Sequence, residues 1–451
     1  MARFDAGAAN VTAASASYND VLTAVTAANA GDTVLVPATV SSGLNWTQEM
    51  LINKSITLSG AGTTPPNITR INNQIPWDGV SNTCIFRIAF TSAQGDKPVR
   101  ITGFYCDNIN VPVYNHSGGY SWPDKSGVRV ECLASNDYND NYINNAHLSQ
   151  VRIDHCFFNK GKDAVALYGY VYGVVDHNSF SNCDIGVGAW GDDNASWARP
   201  IVPGTSNAMF IENDTFVVDN NADWTPVDHQ VYHQEGARTV IRYNTFDLSK
   251  FTLDSGYFID SHGNQNYFTP VHWDFRGQPI IEIYENTLMG NSAYQSMELR
   301  GGANLVWSNS MTTVDGSSAT IELWEEEAWQ SSFFSPLRTS TEWPAEDQIN
   351  STFIWGNTWN GGAANISAGN PRIASSNEAG LIVLGRDYWL SPPNSSTKTT
   401  YPSTSPSPSS AYSVPYQPIT SYTPFVYPHP LVSGQVRPAP PVNLHVVLPA
   451  N

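Results

Sequence analysis

Along the middle of the chain, apolar and polar residues alternate in short runs separated by Asn, Gly and Asp. Alternation with a period of two predicts strands rather than helices. One pattern recurs: a β-rich pair, a spacer, Asn, a small residue, then a large apolar one. It reads VVDHNSF (174–180), VIRYNTF (240–246), IEIYENTL (281–288), LVWSNSM (305–311) and FIWGNTW (353–359). Two variants are FIENDTF (210–216), with Asp214 in the Asn place, and VRIDHCFF (151–158), with Cys156 there. The anchors at 156, 178, 214, 244, 286, 309 and 357 are separated by 22, 36, 30, 42, 23 and 48 residues. The bare unit is 22–23 residues, and longer steps read as that unit plus a loop. The step of 48 reads as two units, because ATIELW (319–324) supplies another strand between.

A unit of this length, holding about three short strands, predicts an all-β fold: a right-handed, single-stranded parallel β-helix. Equivalent positions would stack ~4.8 Å apart. The anchor Asn would point inward and bond the next turn, and the large residue two positions on would stack in the core. Gly and Asn would supply the corners with positive φ. Residues 17–31 read as a short amphipathic helix with Val21, Leu22, Val25 and Ala28 as its apolar stripe and Gly31 as its stop. The strands DTVLVPA (32–38) and ITLSGAG (56–62) follow. A cap over about 15–62 would close the open end of the coil.

The helix, the GDTVLVPA strand and the ITLSGAG turn resemble the N-terminal cap of the pectate-lyase-like superfamily of parallel β-helix proteins. The resemblance spans roughly residues 15–390 and implies the fold. It does not imply one activity, because that superfamily hosts lyases, hydrolases, epimerases and non-enzymes. The β-helix domain is expected over 1–391. Residues 392–451 are rich in Pro, Ser and Tyr over most of their length and read as an extended tail, packed on the helix or linking to a partner.

Composition narrows the partners. Hydrophobic residues make up 41% and charged residues 14%, enough for a large core. The formal net charge of −18 argues against nucleic acid and provides no basic patch for an anionic membrane. No run of apolar residues is long enough to span a bilayer. The five Cys fall at intervals of 22, 26, 24 and 27, which suits small core residues of a repeat better than a disulfide framework or a zinc site. The Lys-poor composition, rich in Asn, Thr, Ser and Trp, suits a secreted or cell-surface protein.

Candidate chemistry appears when strands are aligned on the Gly that ends them: AVALYG (164–169), IGVGAWG (185–191), VYHQEG (231–236), YFIDSHG (257–263) and SMELRG (296–301), with ATIELW (319–324) fitting without the Gly. One face is then an apolar column, with Tyr232 and Gln234 as imperfect members. The other carries two polar columns, His233, Asp260, Glu298 and Glu235, His262, Arg300, in line with Tyr168, Trp190 and Trp324. These six polar residues are the catalytic candidates. Tyr168, Trp190 and Trp324, with Arg238 and Arg276, are the substrate-binding candidates. Aromatic faces stack on sugar rings, while carboxylates and His perform acid–base work.

The expected function is extracellular degradation of a polysaccharide in a groove on the β-helix, with hydrolysis favoured because three carboxyls offer the required separations. One alternative is β-elimination on a uronic-acid glycan, with His233 or His262 as base and Arg300, Arg276 or Arg238 neutralising the substrate carboxylate. A second is a non-catalytic glycan-binding or fibre-forming protein that self-associates through its ends or tail. GDD (191–193) and SHG (261–263) are similar to fragments of polygalacturonase motifs, but the flanking Asn-Thr-Asp and Arg-Ile-Lys are missing. No cofactor is required. Calcium, through Asp192, Asp193 or Asp260, is the one ion left open.

Overall fold

The computed structural model describes residues 8–76, 83–90, 96–108, 125–132, 147–192, 196–197, 199–219, 227–251, 255–263, 277–290, 296–313, 320–324, 347–368, 382–398 and 418–433. Among them the chain winds as a parallel β-helix whose three faces are sheets of 12, 11 and 10 strands. One coil shows the path. Asp163–Gly169 lies in the 10-stranded sheet, Val171–Asp176 in the 12-stranded sheet and Ser179–Ser181 in the 11-stranded sheet. The chain then returns as Ile185–Trp190, in parallel register with the start of the coil, Val165 opposite Val187. No described helix is long and apolar enough to cross a membrane.

The repeated Asn builds a ladder through the corner. The backbone N–H of Cys156 donates to Asn178 Oδ1 (2.9 Å), that of Asn178 to Asp214 Oδ1 (2.6 Å), and that of Asp214 to Asn244 Oδ1 (2.9 Å). Asn244, Asn286, Asn309 and Asn357 continue it at 3.0–3.1 Å. The Asn amides donate back to buried carbonyls of the preceding coil, such as Ile153 and Ile211, so the corner's polar groups are satisfied inside the core. Phe158, Phe180, Phe216 and Phe246 stack beside the ladder at centroid spacings of 5.0, 4.6 and 4.6 Å. The positive-φ corner belongs to the residue before each anchor: His155, His177, Asn213, Tyr243, Glu285, Ser308 and Gly356, with φ of 52–66°. Gly and Asn therefore hold only two of these seven corners, fewer than the sequence led us to expect. The ladder bonds stabilise a conformation that the other five side chains would not choose alone.

Three other expectations change. The step of 48 residues is one coil, because Ser310 stands directly opposite Thr358. Thr320–Leu323 is that same coil's strand in the 10-stranded sheet, paired with Met297–Leu299. The cap helix, Tyr18–Ala27, ends at an extended Ala28, before Gly31. It buries Val21, Ala24 and Val25 and leaves Leu22 exposed. All five Cys are free and buried.

The outer face of the 12-stranded sheet carries ion pairs: the buried Arg152–Asp176 (2.8 Å) and Arg242–Glu212 (2.5 Å), and Arg100–Asp154 (2.5 Å), whose guanidinium is partly exposed. Residues 418–433 run along this face. Arg242 donates to the carbonyls of Phe425 (2.7 Å) and Val426 (3.0 Å), Arg152 donates to that of Leu431 (3.0 Å), and the Tyr422 hydroxyl donates to Glu282 (2.5 Å). Ile419 and Phe425 add apolar contact.

Candidate active site

The site lies on the outer face of the 10-stranded sheet. Consecutive coils place Gly188, Tyr232, Asp260, Glu298 and Glu322 opposite one another. Within this column, Asp260 is a hub. Its Oδ2 lies 2.7 Å from His229 Nε2, 3.0 Å from His262 Nε2 and 3.1 Å from Arg300 Nη2. Arg300 also binds Glu298 and lies 3.2 Å from His262 Nε2. Asp260, Glu298 and Glu322 are buried, whereas Tyr232 and His262 are half-buried and reach the surface.

Aromatic rings extend the face on both sides. Tyr168 and Trp190 stack at 4.7 Å, Trp190 approaches Tyr232 at 5.6 Å, and Tyr232 approaches His262 at 4.9 Å. His229 stacks on Tyr257 at 5.3 Å. At the other end the Arg300 guanidinium lies 4.7 Å from the Trp324 ring centre. Further back, Arg129 covers Tyr168 at 4.8 Å and pairs with Glu131.

Burial alone would raise the Asp260 carboxyl, but Arg300, His262 and His229 outweigh it and hold the group well below the usual carboxylate range. Glu235 is displaced the other way. Its burial pushes the carboxyl up to about 7, slightly offset by the bond it accepts from Gln234 Nε2 at 3.0 Å. Gln234 in turn accepts from the Tyr232 hydroxyl, so Glu235 is joined to the face by a side-chain chain.

Asp260, His262, Glu298 and Arg300 meet as the alignment on Gly anticipates, with Tyr168, Trp190 and Trp324 on the same face. His233 and Glu235 do not take their expected places. His233 stands between Ala189 and Ser261 in the apolar column and is fully buried. Burial lowers its pKa to about 3, which keeps the imidazole neutral. The reason is one extra residue in the turn after Val227–Gln234. Glu235, at φ 55°, precedes Gly236, whereas Trp190 is followed directly by Gly191. Tyr232 and Gln234 consequently face outward.

Arg238 also lies elsewhere. It is in the 12-stranded sheet and donates to Ser196 Oγ (3.2 Å) and to the carbonyls of Pro200 (2.7 Å) and Arg199 (2.8 Å), so it holds a loop. Arg276 and Asp193 lie outside the described residues. Asp192 is bound by Arg199 at 2.6 Å.

His229 and Tyr257 were not among the candidates. Strict alternation puts them on the core side with Val231 and Ile259. Instead, His229 reaches Asp260 and stacks on Tyr257, while Phe258 packs on Phe246 in the core, so the alternation breaks before Val231 and Ile259 and places His229 and Tyr257 on the outer side. The signal available was their shared offset before DSH-like and YHQ-like segments, at equal distance from the aligned apolar pair.

No family model matches the chain, and no curated protein matches it. A solved structure with a similar course is titled "Crystal structure of DFA-IIIase from Arthrobacter chlorophenolicus A6". Its TM-score is 0.43 at 10% identity, over 87% of this chain and 97% of that chain.

Proposed function

We propose that the protein hydrolyses glycosidic bonds of a neutral glycan bound across the 10-stranded sheet between Tyr168 and Trp324. The observation that carries this reading is the in-register column Asp260, Glu298, Glu322. Side by side, these carboxyls are one strand spacing, ~4.8 Å, apart at the backbone. Glycoside hydrolysis uses two carboxyls at ~5 Å or ~6.5–9.5 Å, and a column of three offers both. Opposite pulls on Glu235 and Asp260 divide the roles. Glu235, joined to the column through Gln234 and Tyr232 and protonated to about pH 7, is the proton donor. The Asp260 hub, open to the surface through His262, activates the attacking water.

Charge favours hydrolysis over elimination. The oxocarbenium-like transition state of hydrolysis is positive, and the column carries three carboxyls beside Arg300, while Arg129 lies further back over Tyr168, paired with Glu131. Elimination from a uronate builds negative charge and needs a cation to offset it. Arg300 already serves Asp260 and Glu298. Secretion or surface display belongs to the same proposal, as does the assignment of the β-helix to residues 1–391 with a separate tail.

Purified protein should be screened on neutral and uronic polysaccharides, reading new reducing ends together with absorbance from unsaturated uronates. New reducing ends alone on a neutral glycan are expected. A rise in both on a uronic glycan would replace hydrolysis with elimination. Silence on every glycan would leave a binding or structural role.

A further inference from the structure

We propose that His229, Asp260 and His262 form a binding site for a divalent transition-metal ion. Their ligand atoms all lie within 4.8 Å of one another, on two adjacent coils. His229 Nε2 and His262 Nε2 approach the same oxygen, Asp260 Oδ2, at 2.7 and 3.0 Å. Ligand atoms held ~2.1 Å from a common ion at right angles are ~3 Å apart, so the two separations at Asp260 Oδ2 match adjacent ligands of one ion, and the two imidazoles lie within 4.8 Å of each other. A second feature points the same way. Asp260 is fully buried, and its Oδ1 accepts no hydrogen bond from any described residue. A buried anionic oxygen without a donor is a costly arrangement unless a cation or water meets it.

The donor set selects the ion. Two imidazoles and one carboxylate suit Zn2+, Mn2+ or Fe2+, whereas calcium takes oxygen ligands. The supports of such a site are also present. His229 is fixed by stacking on Tyr257, and Arg300 holds Asp260 from outside as a charged neighbour of the ligand. His262 is half-buried, which leaves an approach from solvent. The ion would replace the direct His–Asp contacts and the approach of Arg300 to His262 Nε2, leaving Arg300 to Glu298 and the rim of Asp260, and would orient all three side chains toward itself. This inference rests on the trio's geometry and not on the proposed reaction.

The test uses the full chain, stripped with a chelator, dialysed and titrated with Zn2+ by calorimetry, and separately with Co2+ by visible absorption. Wild type is expected to bind a single equivalent of Zn2+ and to give a Co2+ ligand-field spectrum. His229→Phe keeps a ring on Tyr257 but removes the nitrogen, and His262→Ala removes the half-buried ligand. Each is expected to lose the bound equivalent and the Co2+ spectrum. Far-UV circular dichroism checks that both variants remain folded, and His262→Ala stands alone if His229→Phe does not fold. Folded wild type that takes up no Zn2+ overturns the proposal. So does full stoichiometry in a folded His262→Ala variant. Metal binding without action on any glycan would sustain this site while removing the hydrolytic reading.

Discussion

Tyr232, not His233, stands opposite Asp260 on the neighbouring coil. That one-residue difference decides which side chains share a face. It places a phenol beside the Asp260 hub, with its ring 4.9 Å from His262 and 5.3 Å from His229, and buries an imidazole in the core. Tyr232 and Trp190 then form an aromatic wall that continues the face from the carboxyl column. Trp190→Ala should weaken glycan binding, raising KM more than it lowers kcat, because a stacking wall holds ground and transition states alike. Steady-state kinetics on the best neutral substrate checks this, and an effect confined to kcat would remove Trp190 from the binding surface.

Glu235→Gln should lower glycan cleavage by ~10²–10⁴-fold with the fold intact, since it removes a positioned proton donor. Wild-type activity should fall on the alkaline side as Glu235 ionises near pH 7. Full activity in Glu235→Gln would assign the proton donor to another group.

Glu235 and His233 should bend the stability profile in opposite directions. The folded carboxyl of Glu235 is raised from 4.5 to about 7, so the folded state holds its proton longer. Its contribution is fully present below about pH 4.5 and is lost as pH rises through 7. His233 is lowered from 6.5 to about 3, so its neutral form contributes above about 6.5, and that contribution is lost as pH falls toward 3. Melting temperatures across this range should show acid destabilisation that is weaker in His233→Leu. Equal slopes in the variant and wild type would contradict the assignment.

Asp214→Asn should stabilise the protein, increasingly so as pH rises. Asp214 occupies an Asn position in the ladder, and burial raises its carboxyl well above the usual range. Its Oδ2 meets no described donor, where neighbouring Asn residues donate to a carbonyl. An amide would restore that bond and remove a buried acid, a change of about 1–3 kcal/mol. Thermal unfolding of both proteins at acidic and alkaline pH provides the comparison; a loss of stability in Asp214→Asn would mean the acid has a role of its own.

Removing residues 418–451 should lower the melting temperature sharply. The 418–433 strap accepts from Arg242, a fully buried guanidinium, and covers Phe210 and Tyr284. Arg242→Ala should be similarly damaging, about 3–5 kcal/mol, because it leaves Glu212 buried without its cation. An unchanged melting temperature in the truncated chain would show the strap to be dispensable.

Much of the fold is legible in the sequence. The recurring Asn and the large residue two positions on encode a ladder and a stack, and both depend only on local spacing repeated once per coil. Asp260, Glu298 and Arg300 were legible for the same reason, since IDSHG and MELRG reach their Gly by turns of equal length. His233 and Glu235 were misplaced because a Gly marks the end of a turn and not its length. The extra residue at φ 55° moves the whole strand by one register position and exchanges its faces. His229 and Tyr257 were hidden because strict alternation fails just before Val231 and Ile259, where Phe258 enters the core and His229 reaches Asp260. The sequence by itself determined the coil, its period and its ladders, which arise from repetition. Only the tertiary structure decided which charged side chains converge on Asp260, because that depends on register between coils far apart in the chain.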